Sequence, residues 1–231
     1  MEPQLLNEKE LEWSTVVANN SMNRERVATG INSYEKDINL NPIEFIKERK
    51  TKSYIEWTDL CCGRGKAIIQ VSNHFEGSEL ANKLFLRGID LVEYFDKYKL
   101  SENLTLKKMN LDNWLPERKC DLITIVHGLH YIGDKIDLII KSVSALKKDG
   151  LFIGNLDLNN IEIVGHKHSK KIILDYFKKN SIEYNQRTRI VSAKGSNEIE
   201  KSFHYLGAND KAGPNYTGQP AVNSIYRLLN K

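Results

Sequence analysis

The sequence is poor in cysteine, with three among 231 residues, two of them adjacent at Cys61 and Cys62, and no Cys-x-x-Cys pair. That count and spacing exclude a disulfide framework and a thiolate zinc site, so the thiols are expected to be reduced packing residues and no metal is expected. No apolar run approaches the ~20 residues of a membrane span. The opening Met1-Glu2-Pro3-Gln4 also lacks a basic region followed by an apolar one. The expected location is cytoplasmic, with no membrane partner. A face of one charge sign is missing too: the formal charge is +4, but Lys and Arg alternate with Asp and Glu nearly everywhere. Without a basic stripe to track phosphates, nucleic acid is not an expected partner. The cluster Lys167, Lys170, Lys171, Lys178 and Lys179 reads as the solvated face of a helix. No internal repeat or low-complexity tract occurs.

What is present is an ordinary globular composition, 40% hydrophobic and 28% charged, at a length that suits one domain. Strand and helix signals alternate from about residue 53, which points to βα units and a mostly parallel sheet. Residues 54–60, 84–89, 104–109, 121–126 and 151–156 read as strands. Residues 66–75 read as a helix, with Ala67, Ile68, Val71 and Phe75 on one face. A second helix carries Ile136, Ile139, Ile140, Val143 and Leu146, with Lys147 and Lys148 at its negative end and Gly150 as its stop. Residues 170–179 supply a third. Residues 182–191, 199–206 and 222–229 alternate as strands do with no helix between them, and predict an antiparallel C-terminal hairpin added to the sheet. Residues 1–50 are polar and helical in pattern, broken at Asn41-Pro42, and read as a helical N-terminal cap to a domain spanning 51–231.

The chemistry concentrates in Asp59-Leu60-Cys61-Cys62-Gly63-Arg64-Gly65-Lys66. A strand that ends near an acid and passes through Gly-x-Gly into a helix brings bare backbone close to a ligand, because glycine has no Cβ and tolerates φ > 0. In open α/β sheets this is the ligand crevice. Arg87-Gly88-Ile89-Asp90 then places a carboxylate 25 residues beyond Gly65, about where an acid reaches the ribose of an adenosine. A dinucleotide fingerprint would want a third glycine where Ile68 stands, which disfavours an NAD-dependent oxidoreductase.

These motifs resemble the class I, Rossmann-like S-adenosylmethionine-dependent methyltransferases. The resemblance covers residues 54–157 well and the remainder by topology. It implies a seven-stranded, mostly parallel sheet with helices on both faces and S-adenosyl-L-methionine as cofactor. Asp59, Cys61, Gly63 and Gly65 match the family's first motif, with Cys61 standing where the first glycine is usual. Asp90 and its neighbour Leu91 match the ribose site, and Asn110, Leu111 and Asp112 the adenine loop, where either Asn110 or Asp112 reads the amino group. His127-Gly128-Leu129-His130-Tyr131 matches the turn after the fourth strand. It makes His127 a cofactor contact and makes His130, then His127, the candidate bases.

The stretch Tyr205–Pro220 is dense in amides and turn residues. In a fold of this kind it walls the acceptor pocket through Asn209, Asn215, Tyr216 and Gln219, with Tyr34 of the cap as a further substrate contact. The implied activity is methyl transfer to a small-molecule or short-peptide acceptor by a monomer or homodimer. The other readings are a non-catalytic adenosylmethionine-binding module and an oxidoreductase.

Overall fold

The computed structural model describes residues 5–18, 25–97 and 101–229. Positions 1–4 and 19–24 of the expected cap, residues 98–100, and 230–231 at the end of the expected domain lie outside the described residues. The strands of the main sheet are Ile55–Leu60 (β1), Leu84–Asp90 (β2), Leu104–Lys108 (β3), Cys120–Ile125 (β4), Leu146–Asn155 (β5), Ile182–Asn185 (β7) and Ile190–Lys194 (β8). Their spatial order is β3-β2-β1-β4-β5-β8-β7. The first five run parallel, and β8 lies antiparallel to both its neighbours. β1 and β4 are buried at every position, as central strands covered on both faces must be.

Helices pack on both faces. On one side Ala67, Ile68, Val71 and Phe75 of helix Lys66–Phe75 join Ile43, Phe45 and Ile46 of the short helix Pro42–Lys47 around Trp57, Leu86 and Leu122. On the other, Ile136, Ile139 and Val143 of helix Lys135–Ser144 and Ile173 and Phe177 of helix Ser169–Lys179 cover Ile123, Ile125 and Phe152. Asn41 caps the Pro42–Lys47 helix by accepting from the Ile43 and Glu44 amides, so the Asn-Pro break is a helix start.

Two expectations are corrected. The Lys135–Ser144 helix ends at Ala145 rather than running on to a Gly150 stop, and residues from Leu146 onward already pair in β5. Leu146 satisfies the helical apolar spacing, yet it lies opposite Cys120 in the sheet. Lys147 is not at a helix end. Its Nζ reaches the Tyr54 carbonyl (2.9 Å) and, with Lys52, neutralises Asp121, which is fully buried. The C-terminal strands are also divided. β7 and β8 form the antiparallel hairpin of the main sheet, whereas Phe203–Asn209 (β9) and Asn223–Leu228 (β10) build a separate three-stranded sheet with Ile161–Ile163 (β6), in the order β6-β10-β9.

That second sheet is fastened to the start of the Lys135–Ser144 helix by a buried lysine. Lys135 donates to the carbonyls of Ile132 and Val222 (2.8 Å each) and to Ser224 Oγ (2.7 Å). These three acceptors fill its donor capacity. Tyr226 on β10 donates to Asp134 at the same helix start (3.0 Å). Among the described residues no helix is long and apolar enough to cross a membrane.

Candidate functional site

Between β1 and the Lys66–Phe75 helix the backbone turns through three left-handed residues, Cys61 (φ 54°), Gly63 (φ 60°) and Gly65 (φ 76°). Glycine meets such angles without strain, whereas cysteine does not. Across the turn, Asp90 at the end of β2 accepts from the Gly63 amide through Oδ2 (2.8 Å) and from the Val92 amide through Oδ1 (3.1 Å). One carboxylate therefore ties the glycine turn to the second strand.

Above these strand ends lies an open cleft. Its floor includes Cys61, Gly63, Asp90 and Leu91, and its walls include Met109 to Asp112 and Val126 to Gly128. The roof is the N-terminal segment, represented by Glu8, Leu11, Glu12 and Val17. Four carboxylates, Glu8, Glu12, Asp90 and Asp112, line it, and no Lys or Arg does among the described residues.

The roof has its own supports. Helix Glu8–Leu11 is started by an Asn7/Glu10 capping box, in which each side chain bonds the other residue's amide. Leu6 pairs with Ala208 of β9, and Leu11 packs on Ala208 and Val222. Ser14 Oγ donates to Asp210 (2.7 Å), Glu8 accepts from the Asp134 amide (2.8 Å), and Asn110 Nδ2 donates to Glu12. Burial first, then the negative charge of Asp112, pushes the Glu8 carboxyl up to about 7, against hydrogen bonds from Tyr205 and the Asp134 amide.

Because the folded pKa of Glu8 is raised from 4.5 to about 7, docking of the roof is strongest where the carboxyl is protonated and weakens as pH rises through that window. Hydrogen exchange of residues 5–18 should quicken, relative to the rest of the chain, between about pH 4.5 and 7. Glu8→Gln, which keeps the acceptor for the Asp134 amide, should flatten that dependence. Unchanged pH dependence in the variant would assign it to another group.

Of the residues singled out from the sequence, Cys61, Gly63, Asp90, Leu91, Asn110, Leu111, Asp112 and His127 all line the one cleft. Asn110 is already engaged twice, accepting from the Asp112 amide (2.8 Å) to cap the turn 111–113 and donating to Glu12. Gly65 lies behind the turn as the N-cap of the following helix, with Leu106 methyls against it.

Asp59 and Tyr34 do not line the cleft. Both are buried in the sheet's interior, with Tyr34 Oη donating to Asp59 Oδ2 (2.8 Å) and Thr124 Oγ1 donating to Oδ1 (2.6 Å). Burial raises the Asp59 carboxyl to about 7 in spite of those two bonds. Asn209, Asn215, Tyr216 and Gln219 lie outside the cleft as well. Asn215 organises its own turn through the Thr217 amide and hydroxyl (2.8 and 2.6 Å).

The two histidines sit in unlike surroundings. His130 has no solvent exposure, neither ring nitrogen has a hydrogen-bond partner among the described residues, and burial drives its imidazole down to about 3. Its ring packs edge-on against Tyr216, with centroids 5.4 Å apart, and its carbonyl accepts from the Val222 amide. It therefore stays neutral at ordinary pH. His127 lines the cleft, adopts φ 59°, and places Nε2 3.1 Å from Asp37 Oδ2. Asp37 is also held by Arg26. Asn155, at the end of β5, bridges the pair: its Oδ1 accepts from the His127 amide and its Nδ2 donates to the Asp37 carbonyl, 3.2 Å each.

Sequence reasoning missed Glu8, Glu12, Arg26, Asp37 and Asn155. The capping box Asn7-x-x-Glu10 marks the roof helix, and a polar residue ending the apolar run 151–154 marks the sheet's ligand edge at Asn155. Nothing local ties Asp37 to His127.

No protein-family model matches the sequence, and no curated protein matches it. Solved structures with similar chains include the plantazolicin methyltransferase BpumL in complex with a pentazolic desmethylPZN analog and SAH, at 17% identity over 51% of this chain and 45% of that one, TM-score 0.40. Coclaurine N-methyltransferase bound to N-methylheliamine and SAH matches at 16% identity over 49% and 34%, TM-score 0.34. The cyclase SpnF matches at 13% identity over 66% and 61%, TM-score 0.43. The present chain thus spans less than half the length of the first two. These overlaps are partial, and the functional reading below rests on the cleft itself.

Proposed function

We propose that the protein is an S-adenosylmethionine-dependent methyltransferase acting on a small-molecule or short-peptide acceptor. The observation that carries this reading is the charge of the cleft. The glycine turn, Asp90 and the Asn110–Asp112 loop meet in one space lined by four carboxylates and, among the described residues, by no cation. A sulfonium nucleoside with an ammonium group suits such a lining. The pyrophosphate of a dinucleotide would face uncompensated repulsion there, which disfavours the oxidoreductase reading.

In this reading Asp90 takes the ribose hydroxyls, and the bare backbone at Gly63 with the small Cys61 side chain accommodates the amino-acid end. Asp112 is the better reader of the adenine amino group, since Asn110 is already committed to its turn and to Glu12. When bound, the cofactor supplies an activated methyl group on a positive sulfur. The chain's part is to align the acceptor with that methyl and keep water out, and the N-terminal roof over the cleft serves the second purpose.

Calorimetry with S-adenosylmethionine, S-adenosylhomocysteine and NAD tests the reading. We expect micromolar affinity for the two nucleosides and no heat with NAD. Binding of NAD without either nucleoside would overturn it.

A further inference from the structure

We propose that Asp37, Arg26 and Asn155 hold His127 as the general base for an acceptor hydroxyl of low acidity, such as a phenol or enol. This deepens the methyltransferase reading and rests on it. The geometry gives the reason. Asp37 is bonded by Arg26 as well as by His127, and, against the burial that would raise it, those bonds hold its carboxyl below the usual range. A carboxylate only accepts, so the ring nitrogen facing it, Nε2, carries the hydrogen, and in the neutral ring Nδ1 is left as the acceptor. Nδ1 is buried and has no partner among the described residues. His127 itself is one of the residues lining the cleft, beside Cys61, Gly63 and Gly128.

The arrangement is held in place at some cost. A left-handed, non-glycine residue persists where its surroundings over-determine it. Asn155, 1% exposed, does so here by bonding the backbones of both His127 and Asp37 with a single amide. Tyr216, in the connection between β9 and β10, reaches the same corner: its ring packs on His130, and burial first, then the Asp37 charge, push its hydroxyl up to about 12. His130 itself is fully buried and takes no part in proton transfer.

In the step this implies, the acceptor O–H proton passes to Nδ1 while an oxygen lone pair forms the C–O bond to the donor methyl. The methyl–sulfur bond breaks and its electron pair stays on sulfur. The imidazolium keeps its Nε2–H on Asp37, whose negative charge balances it. A neutral amine already offers a free lone pair, and a strongly acidic phenol ionises unaided. A fixed base accelerates transfer only to a hydroxyl between these extremes.

The test has a spectroscopic and a kinetic arm. Nitrogen NMR of the imidazoles should show His127 as the Nε2–H tautomer, and Asp37→Asn should abolish that preference. With tritiated methyl donor, His127→Asn, whose asparagine tolerates the left-handed backbone, should lower transfer to phenol about 100-fold. Transfer to para-nitrophenol, largely ionised at mildly alkaline pH, should fall less than about threefold, because it needs no base. An Nδ1–H tautomer, an equal loss with both phenols, or label on amine probes and on neither phenol would overturn the base assignment. Calorimetry of the parent with S-adenosylhomocysteine separates the two readings. No binding there refutes the methyltransferase itself, whereas intact binding with any of those outcomes refutes only the role of His127.

Discussion

Asp90→Ala should weaken S-adenosylhomocysteine binding about a hundredfold, or roughly 2.7 kcal/mol, while the thermal midpoint changes little. Two losses add. The ribose hydroxyls would lose a charged acceptor, and hydrogen bonds to charged groups are worth about 1.5–3 kcal/mol. The Gly63 and Val92 amides would lose the carboxylate that orients them, so the glycine turn would no longer be held against β2. The fold should survive because the buried apolar positions of β2, Leu84, Leu86 and Ile89, are untouched. Asp90→Asn keeps an acceptor for one amide and should fall between the two, near tenfold. Calorimetry and a melting curve on the same samples decide. An unchanged affinity would remove Asp90 from the ribose site, and a collapsed melting curve would make its role one of folding.

What could be read from the sequence followed from how local each signal is. The Lys66–Phe75 helix was legible because its four apolar positions share one face and its Gly65 cap precedes them. The end of the Lys135–Ser144 helix was not, because Leu146 satisfies the helical period and the strand pairing alike, and only its partner Cys120, far along the chain, decides between them. Alternation marked three runs as strands, 182–191, 199–206 and 222–229, but it did not show that the first folds back on itself as β7 and β8, and period two carries no information about which sheet a strand joins.

The site divides in the same way. Residues at successive strand ends, Gly63, Asp90 and Asp112, fall together because the parallel topology orders them. Residues that arrive from elsewhere, Glu8 and Glu12 in the roof and Asp37 beside His127, depend on tertiary docking, and although the Asn7/Glu10 capping box marks the roof helix, nothing local places it over the cleft. Tyr34 shows the converse. An aromatic hydroxyl in the cap reads as a substrate contact, yet it is spent on Asp59 inside the sheet.

The departure at Cys61 leads to the other large expected effect. The side chain that stands in place of a glycine occupies space left by a second glycine. A Cβ built on Gly128 would lie 2.4 Å from Cys61 Cβ, 2.8 Å from its Sγ and 2.8 Å from Ile125 Cγ1. Neither backbone is free to yield. The Cys62 amide is bonded to the Ile89 carbonyl (3.1 Å) and the Gly65 amide to the Cys62 carbonyl (3.0 Å), while Gly128 opens the short turn 128–131. Gly128→Ala should therefore cost about 3 kcal/mol by overpacking, lowering the thermal midpoint by about 6–12 °C. It should also displace the turn that carries Gly63, so cofactor affinity falls with it. Cys61→Gly alone should lie within about 1 kcal/mol of the parent, since relief of the left-handed strain offsets the lost thiol packing and the greater freedom of the unfolded chain. In the double variant the Cβ–Cβ clash is gone and the contact with Cγ1 of the buried, β-branched Ile125 is the residual cost. Gly128→Ala should then cost about 2 kcal/mol less than it does in the parent, a coupling well outside the few tenths expected of independent sites. Melting curves of the four proteins measure that coupling directly. Simple additivity would mean that the two positions do not share one space and that the turn tolerates cysteine for another reason.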